Sequence, residues 1–397
     1  GTILNVQTGE TFSTIQDAID DPQTMNGHTI AIPTGSYAGG LNATAKDLSF
    51  APGNSPGCVN IVGNMILTGG DNLNMEINGT TACTQYDQFD VDGAVTLGGA
   101  NLVLNLGMYT PINGHQYTLI DNDLADAVSG QFAQGTSFST GMYGFTINYA
   151  GGDGNDVVMT SCGTGSIHNT TQTTNYCTLQ AAIEDANNND VITVDAGTYV
   201  EVGQIVIDKN LTITGADKTT TFIKPAQNTG NSGDARAWWL VNPGISFSLS
   251  GVTLDGTGKL VYTGIKHQGS GTITDCSFTQ IKYNESGPEY QGNAIQIVST
   301  ATVNVTYSMF TQIGRNGILA DQCLGTYSGN MYTGKGAGDW LDYFILSEYG
   351  DNITISGNTI TNCAGIASVD GSGSSAIAVW DDPATQANIT LNTMTNN

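Results

Sequence analysis

From Leu249 onward the apolar side chains fall in pairs five residues apart: Leu249 with Leu254, Ile273 with Phe278, Val305 with Phe310, Tyr327 with Tyr332, Ile355 with Ile360 and Ile389 with Met394. In one straight strand, residues an odd number apart face opposite sides. Two apolar residues bound for one core therefore need a bend between them. Ser250-Gly251, Ser328-Gly329-Asn330, Ser356-Gly357-Asn358 and Asn392 fall in those gaps, and Ser, Gly and Asn are turn formers. The first members are separated by 24, 32, 22, 28 and 34 residues. A constant core step with a return of variable length predicts a solenoid whose insertions lie to one side.

Two stretches open alike. Thr11-Phe-Ser-Thr-Ile-Gln-Asp-Ala-Ile-Asp followed by Ile30-Ala-Ile-Pro-Thr-Gly-Ser-Tyr37 matches Tyr176-Cys-Thr-Leu-Gln-Ala-Ala-Ile-Glu-Asp followed by Ile192-Thr-Val-Asp-Ala-Gly-Thr-Tyr199. Each predicts a short helix with Ile15, Ala18 and Ile19, or Leu179, Ala182 and Ile183, on one face. Ser13 and Gln16 suit a capping box. Such a helix is a lid for the open end of a strand stack, whose edges otherwise invite pairing. The reading is two modules, 1–161 and 162–397, in a near-continuous rod. The last step, Asn388 to Asn397, has no polar cap after it, so the chain is expected to continue further or to stack on another copy.

Composition narrows the partners. Gly is abundant at 52 residues, and charged residues are only 11%, which suits strands and tight turns more than charged helices. Ten Lys and Arg against 35 Asp and Glu give a net charge of −25. Nucleic acid and anionic lipid are excluded as partners, because both require clustered cations. Lys46 is the one Lys or Arg before Lys209. No apolar run approaches the ~18 residues that span a bilayer, so membrane insertion is not expected. Calcium is the one cofactor this composition favours, since carboxylate oxygens suit a hard cation. Seven Cys include no CxxC pair, against a structural zinc site. Two disulfide pairings suit the spacing, Cys162 with Cys177 and Cys58 with Cys83, and both imply an oxidising compartment. One Cys is left over whichever pairs form.

The helix lid, the Gly-Thr-Tyr turn and the Lys209-Asn-Leu-Thr-Ile-Thr-Gly215 strand resemble the opening of right-handed parallel β-helices of the pectin-lyase-like superfamily. Ile353-Thr-Ile-Ser-Gly-Asn-Thr-Ile-Thr-Asn362 is similar to that group's coil consensus. The resemblance covers nearly all of 175–397 and, more loosely, 1–160. Tyr86-Asp-Gln-Phe-Asp-Val-Asp-Gly-Ala-Val-Thr-Leu-Gly-Gly-Ala100, the Gly151-Gly-Asp-Gly-Asn-Asp156 ending and Gly334-Lys-Gly-Ala-Gly-Asp-Trp-Leu-Asp-Tyr343 resemble repeats of large secreted bacterial surface proteins. The fold expected is all-β, a parallel β-helix solenoid. Such folds host lyases, hydrolases, esterases and non-catalytic adhesins alike.

Lyases of this resemblance abstract a proton with Lys or Arg, often beside calcium, which points to Lys266, Lys282, Arg315 and Lys335. Lys282 and Arg315 follow aligned coils at corresponding points. Hydrolysis requires converging carboxylates: Asp339 and Asp342 share a loop with Trp340 and Tyr343, and Glu285 and Glu289 share one with Tyr283 and Tyr290. The Asn-Thr-Asp, Gly-His-Gly and Arg-Ile-Lys segments of hydrolases of this fold are absent. Tyr283, Tyr290, Trp340 and Tyr343 are candidate platforms for a sugar ring. Asp153 and Asp156 lie in a single copy of a calcium-binding GGxGxDxU pattern. The leading expectation is a non-catalytic adhesive segment of an extracellular, cell-surface protein, a rod that assembles with its own copies or neighbouring modules and contacts surface polysaccharide. The alternative is a secreted polysaccharide lyase or glycoside hydrolase. A lyase should gather cations in one groove; a rod should scatter them.

Overall fold

Each five-residue step resolves into a strand, one left-handed residue and a second strand. The computed structural model describes residues 1–397 apart from 54–55, 124–125, 284–291, 299, 338–340, 368–370 and 381–383. In it the third residue of every step has positive φ: Gly251 (68°), Asp275 (52°), Tyr307 (52°), Gly329 (67°), Gly357 (65°) and Leu391 (57°). One such residue reverses the side-chain alternation, so both apolar members of the step turn inward. All ten from Leu249 to Ile360 are buried. Ile389 and Met394, in the last coil, are 43% and 45% exposed because no coil stacks on them.

Stacking these steps makes two parallel sheets, and a third completes each coil. In the first sheet Leu249, Ile273, Val305, Tyr327, Ile355 and Ile389 form one column. The second places Leu254, Phe278, Phe310, Tyr332, Ile360 and Met394 in another. The third runs from Ile205–Ile207 to Ser375–Trp380, with Trp239, Ile265, Ile295, Ile318, Ile345 and Ile377 in register. The chain is an all-β parallel β-helix solenoid, 49% strand and 4% helix.

The residue after each bend faces the interior, where its backbone N–H needs an acceptor. Stacked asparagines supply it. Asn330 Oδ1 accepts from Ser308 N at 2.9 Å, Asn358 Oδ1 from Asn330 N at 2.9 Å, and Asn392 Oδ1 from Asn358 N at 2.9 Å. Their Nδ2 groups donate to Val305 O, Tyr327 O and Ile355 O, each at 2.9 Å. Earlier coils replace asparagine by Ser308, whose Oγ accepts from Cys276 N, and by Cys276 itself.

The chain forms two units, Gly1–Gly165 with Thr174–Cys177, and Ser166–Thr173 with Thr178–Asn397. Helix α1 (Ile15–Asp20) opens unit 1 and helix α2 (Leu179–Asp185) opens unit 2. Thr14, rather than Ser13, caps α1, its Oγ1 accepting from Asp17 N at 3.0 Å; Thr178 caps α2 through Ala181 N. Ile15, Ala18 and Ile19, and likewise Leu179, Ala182 and Ile183, are buried. Lys46 Nζ donates to Ile19 O and Asp21 O, and Lys209 Nζ to Ile183 O and Glu184 O. Cations on C-terminal carbonyls stabilise a helix end, so the two most isolated lysines tie down the lids. Unit 1 stacks parallel strands up to Asn101–Asn105 and Gln116–Asn122, then closes antiparallel through Asp156–Ser161, Tyr143–Gly151 and Ser137–Thr140. Cys58–Cys83 and Cys162–Cys177 are disulfides, with Cα atoms 4.6 and 5.8 Å apart. No described helix is long and apolar enough to cross a membrane.

Asn358→Ala leaves the buried Asn330 N–H and Tyr327 carbonyl without partners, each costing about 1–3 kcal/mol. The expected loss is about 2–4 kcal/mol, with a smaller one for Asn358→Ser, which keeps an oxygen as Ser308 does. The denaturant midpoints of the two variants measure it; a shift within error for Asn358→Ala refutes the role given to the ladder.

Candidate functional site

The variable returns that lead from the second sheet to the third share one feature. They span 226–238, 256–262, 280–292, 312–315 and 334–342 on five successive coils, and each carries one cation: Arg236, Lys259, Lys282, Arg315 and Lys335. These are half of the chain's ten. The returns stack as the strands do, Val261 N donating to Lys282 O at 2.7 Å and Tyr343 N to Arg315 O at 2.9 Å. One cation per coil at one corner is therefore set by the winding itself.

The side chains form a graded surface. The Arg236 guanidinium lies 4.9 Å above the Tyr262 ring and donates from Nη1 to Tyr262 Oη at 3.1 Å. Tyr262 meets Tyr283 edge to face at 5.4 Å. Lys282 Nζ donates to Gln312 Oε1 at 3.2 Å. Lys259 and Lys282 line a cleft of about 210 Å³ with Asn228, Leu260 and Gln280. Arg315 sits 5.9 Å from the Tyr343 ring centroid. Lys266 projects from the third sheet, its Nζ 3.4 Å from Ala235 O. Lys209, Lys218, Lys224 and Lys335 pair with Asp208, Asp275, Asp255 and Asp342. Among the described residues no carboxylate lies within ion-pair distance of Lys259, Lys266, Lys282 or Arg315. Cations kept clear of carboxylates in an acidic chain suit an external anion.

Three of the residues expected at a site are instead structural. Asp342 is fully buried: it accepts from Tyr332 Oη and from Lys335 N, and its Oδ1 lies 3.5 Å from Lys335 Nζ. Lys335 Nζ also donates to Gly314 O and Leu341 O. This network pins the return, so Asp342 is no exposed acid and Lys335 no exposed base. Tyr343 is buried with Leu341 and Leu346 against the outer face of the third sheet, which removes it as a sugar platform. Tyr283 remains half-buried at the corner. Tyr290, Asp339, Trp340, Glu285 and Glu289 lie outside the described residues. Arg236, Lys259 and Tyr262 were not legible as site residues, because their signal is a coil position that depends on strands of unequal spacing. The leftover thiols of Cys276, Cys323 and Cys363 are buried, and burial pushes the first two up to about 12, which makes them poor nucleophiles.

In unit 1 the Gly-Gly-Asp-Gly-Asn-Asp segment is a hairpin turn between Tyr143–Gly151 and Asp156–Ser161. Asp156 is buried and accepts from Asn122 N at 3.0 Å, while Asp153 is exposed. Asp156 thus satisfies backbone amides, which corrects its expected role as a calcium ligand. Among the described residues no three His, Cys, Asp or Glu groups converge as a metal-binding set.

No family model matches the chain, and no curated protein matches it. Among solved structures, the PL6-family alginate lyase AlyGC aligns with 92% of this chain and 68% of its own, at 13% identity and a TM-score of 0.36. A pectin methylesterase in complex with a hexasaccharide covers 56% of this chain and 90% of its own, at 11% identity and 0.30. The pectin methylesterase from Aspergillus niger covers 55% and 82%, at 14% and 0.28. Similarity at this level carries nothing about chemistry; the fold stands on the strand register itself.

The carboxylates of unit 1 generate a pH dependence. Asp87 Oδ1 accepts from Gly57 N at 2.8 Å and Oδ2 from Glu76 N at 2.7 Å, yet burial outweighs both bonds and pushes its carboxyl up to about 6. Burial raises Asp71, Asp90 and Asp156 as well. A carboxyl that holds its proton more tightly when folded contributes stability below its unfolded value, and that contribution is lost as pH rises through the folded one. The thermal midpoint should fall between about pH 4 and pH 6. Asp87→Asn should flatten part of that slope; an unchanged slope in the variant refutes the assignment.

Proposed function

We propose that this chain is an extracellular polysaccharide-acting protein, and that unit 2 binds an acidic polysaccharide along the five cation-bearing returns. The observation that carries the reading is one cation on each of five successive returns, in a chain of net charge −25. A scattered distribution would have suited a purely mechanical rod. A polymer with a carboxylate on each sugar matches a row of cations better than a neutral one does, and the Tyr262–Tyr283 pair offers ring faces and edges to the sugars. Two disulfides support an oxidising, extracellular setting.

Of the enzymatic alternatives, β-elimination fits this corner better than hydrolysis. Lys282 supplies a basic side chain at the cleft, and Arg315 is placed to hold a uronate carboxylate and stabilise charge developing on it. Hydrolysis has lost Asp342 to the interior. A non-cleaving adhesive surface is the second reading, favoured by the locking of Lys335 into the fold and the tethering of Lys282 by Gln312.

Affinity electrophoresis against alginate, polygalacturonate and hyaluronan, with dextran and arabinan as neutral controls, tests the binding. Retardation by the acidic polymers alone, weakening with salt, is expected. The Lys282→Ala/Arg315→Ala variant should bind about tenfold more weakly or worse, about 1.4 kcal/mol. Equal binding to neutral polymers overturns the proposal. Release of unsaturated uronate products separates the lyase from the adhesive reading.

A further inference from the structure

The two units repeat the same lid over the same strand edge, but they complete it differently. In unit 1 the edge strand is Leu41–Asn42, with Asn64 O accepting from Leu41 N and Ile66 O from Ala43 N. Asn42 therefore turns its own N–H and C=O away from the sheet, toward α1. The Gln16 carboxamide closes both: its Oε1 accepts from Asn42 N at 2.9 Å and its Nε2 donates to Asn42 O at 3.3 Å. A planar amide thus takes the place of the missing neighbour strand.

In unit 2 the corresponding edge strand is Ile205–Ile207, whose one partner strand is Trp239–Val241. Ile205 N donates to Trp238 O at 2.9 Å, the same register as Leu41, so Val206 turns its N–H and C=O toward α2. The residue matching Gln16 is Gln180, which donates instead to Glu184 Oε1 at 2.9 Å. No side chain among the described residues bonds the Val206 amide. In front of it lies a cleft of about 210 Å³, lined by Gln180, Ile183, Glu184, Gln204, Val206 and Lys209 among others.

We infer that this cleft is a binding site for the acetamido group of an N-acetylated amino sugar. An acetamido group presents the same pair as Gln16, an N–H for the Val206 carbonyl and a C=O for the Val206 N–H. Its methyl group meets the apolar side of the cleft at Ile183, and Glu184 and Gln204 offer hydrogen-bonding groups to ring hydroxyls. An added peptide strand fits less well: the edge strand is three residues long, Val206 offers a single amide pair, and α2 lies across it. The volume, below the ~300 Å³ of ordinary ligand pockets, suits one sugar unit. The inference rests on this amide edge and is independent of the cationic returns.

Backbone amide NMR of the full chain under titration with N-acetylglucosamine, glucose and N-methylacetamide tests it. The Val206 N–H resonance should shift saturably with N-acetylglucosamine and not with glucose, while Asn42, already closed by Gln16, stays still. Gln16→Ala should open the same position in unit 1 and confer an Asn42 shift with N-acetylglucosamine. Equal shifts with glucose, a response to N-methylacetamide without one to the sugar, or no shift at Val206 each overturn the proposal. So does an Asn42 amide that remains unresponsive in Gln16→Ala.

Discussion

A single left-handed residue in each coil governs this molecule. Without it, the two apolar members of a five-residue step face opposite sides, and one column of the core turns to water. The constraint is local, one φ angle, but its consequence is repeated on every coil. Glycine adopts that angle at no steric cost at 251, 329 and 357, whereas Asp275, Tyr307 and Leu391 adopt it with a Cβ. The apolar columns on both sides of the bend give back more than that local cost, since each fully buried aromatic or aliphatic side chain contributes roughly 1.5–3 kcal/mol.

The bend creates a second problem, an inward backbone amide in an apolar interior. Asparagine resolves it because one carboxamide both accepts and donates, so Asn330, Asn358 and Asn392 serve the coils on either side of them. The lid uses the same chemistry at the end of unit 1, where Gln16 closes the edge at Asn42. Strand edges, bends and ends are all matters of where an amide finds its complement. That is why a primary carboxamide turned elsewhere, as at Gln180, changes what the edge can hold.

The fold was legible because its cause is short-range. Leu249 with Leu254, and Ile355 with Ile360, carry their bend between them, and Ser-Gly-Asn announces it. The lids were legible for the same reason, though the cap fell on Thr14 because its hydroxyl, one residue later, is the one that reaches Asp17 N. The site was harder to read. Asp342 and Tyr343 look like an exposed acid beside a sugar platform, but burial depends on how the 334–342 return packs on Leu341 and Leu346. The parallel placement of Arg236, Lys259, Lys282 and Arg315 depends on the third sheet, whose strands follow returns of unequal length. Nothing in the spacing fixes it.

The distribution of charge follows from this division of labour. Sheet faces tolerate few charges because neighbouring coils bring like residues one above another at ~4.8 Å. Returns escape that constraint, so a cation placed there costs the coil little. Lys218, Lys224 and Lys335 are drawn to Asp275, Asp255 and Asp342 and hold structure. Lys259, Lys282 and Arg315 are held by neutral neighbours or by packing on an aromatic ring. In a chain with 35 acidic residues, leaving them without a carboxylate maintains a positive edge against the field of the whole molecule, and a polyanion is the partner that such an edge discriminates.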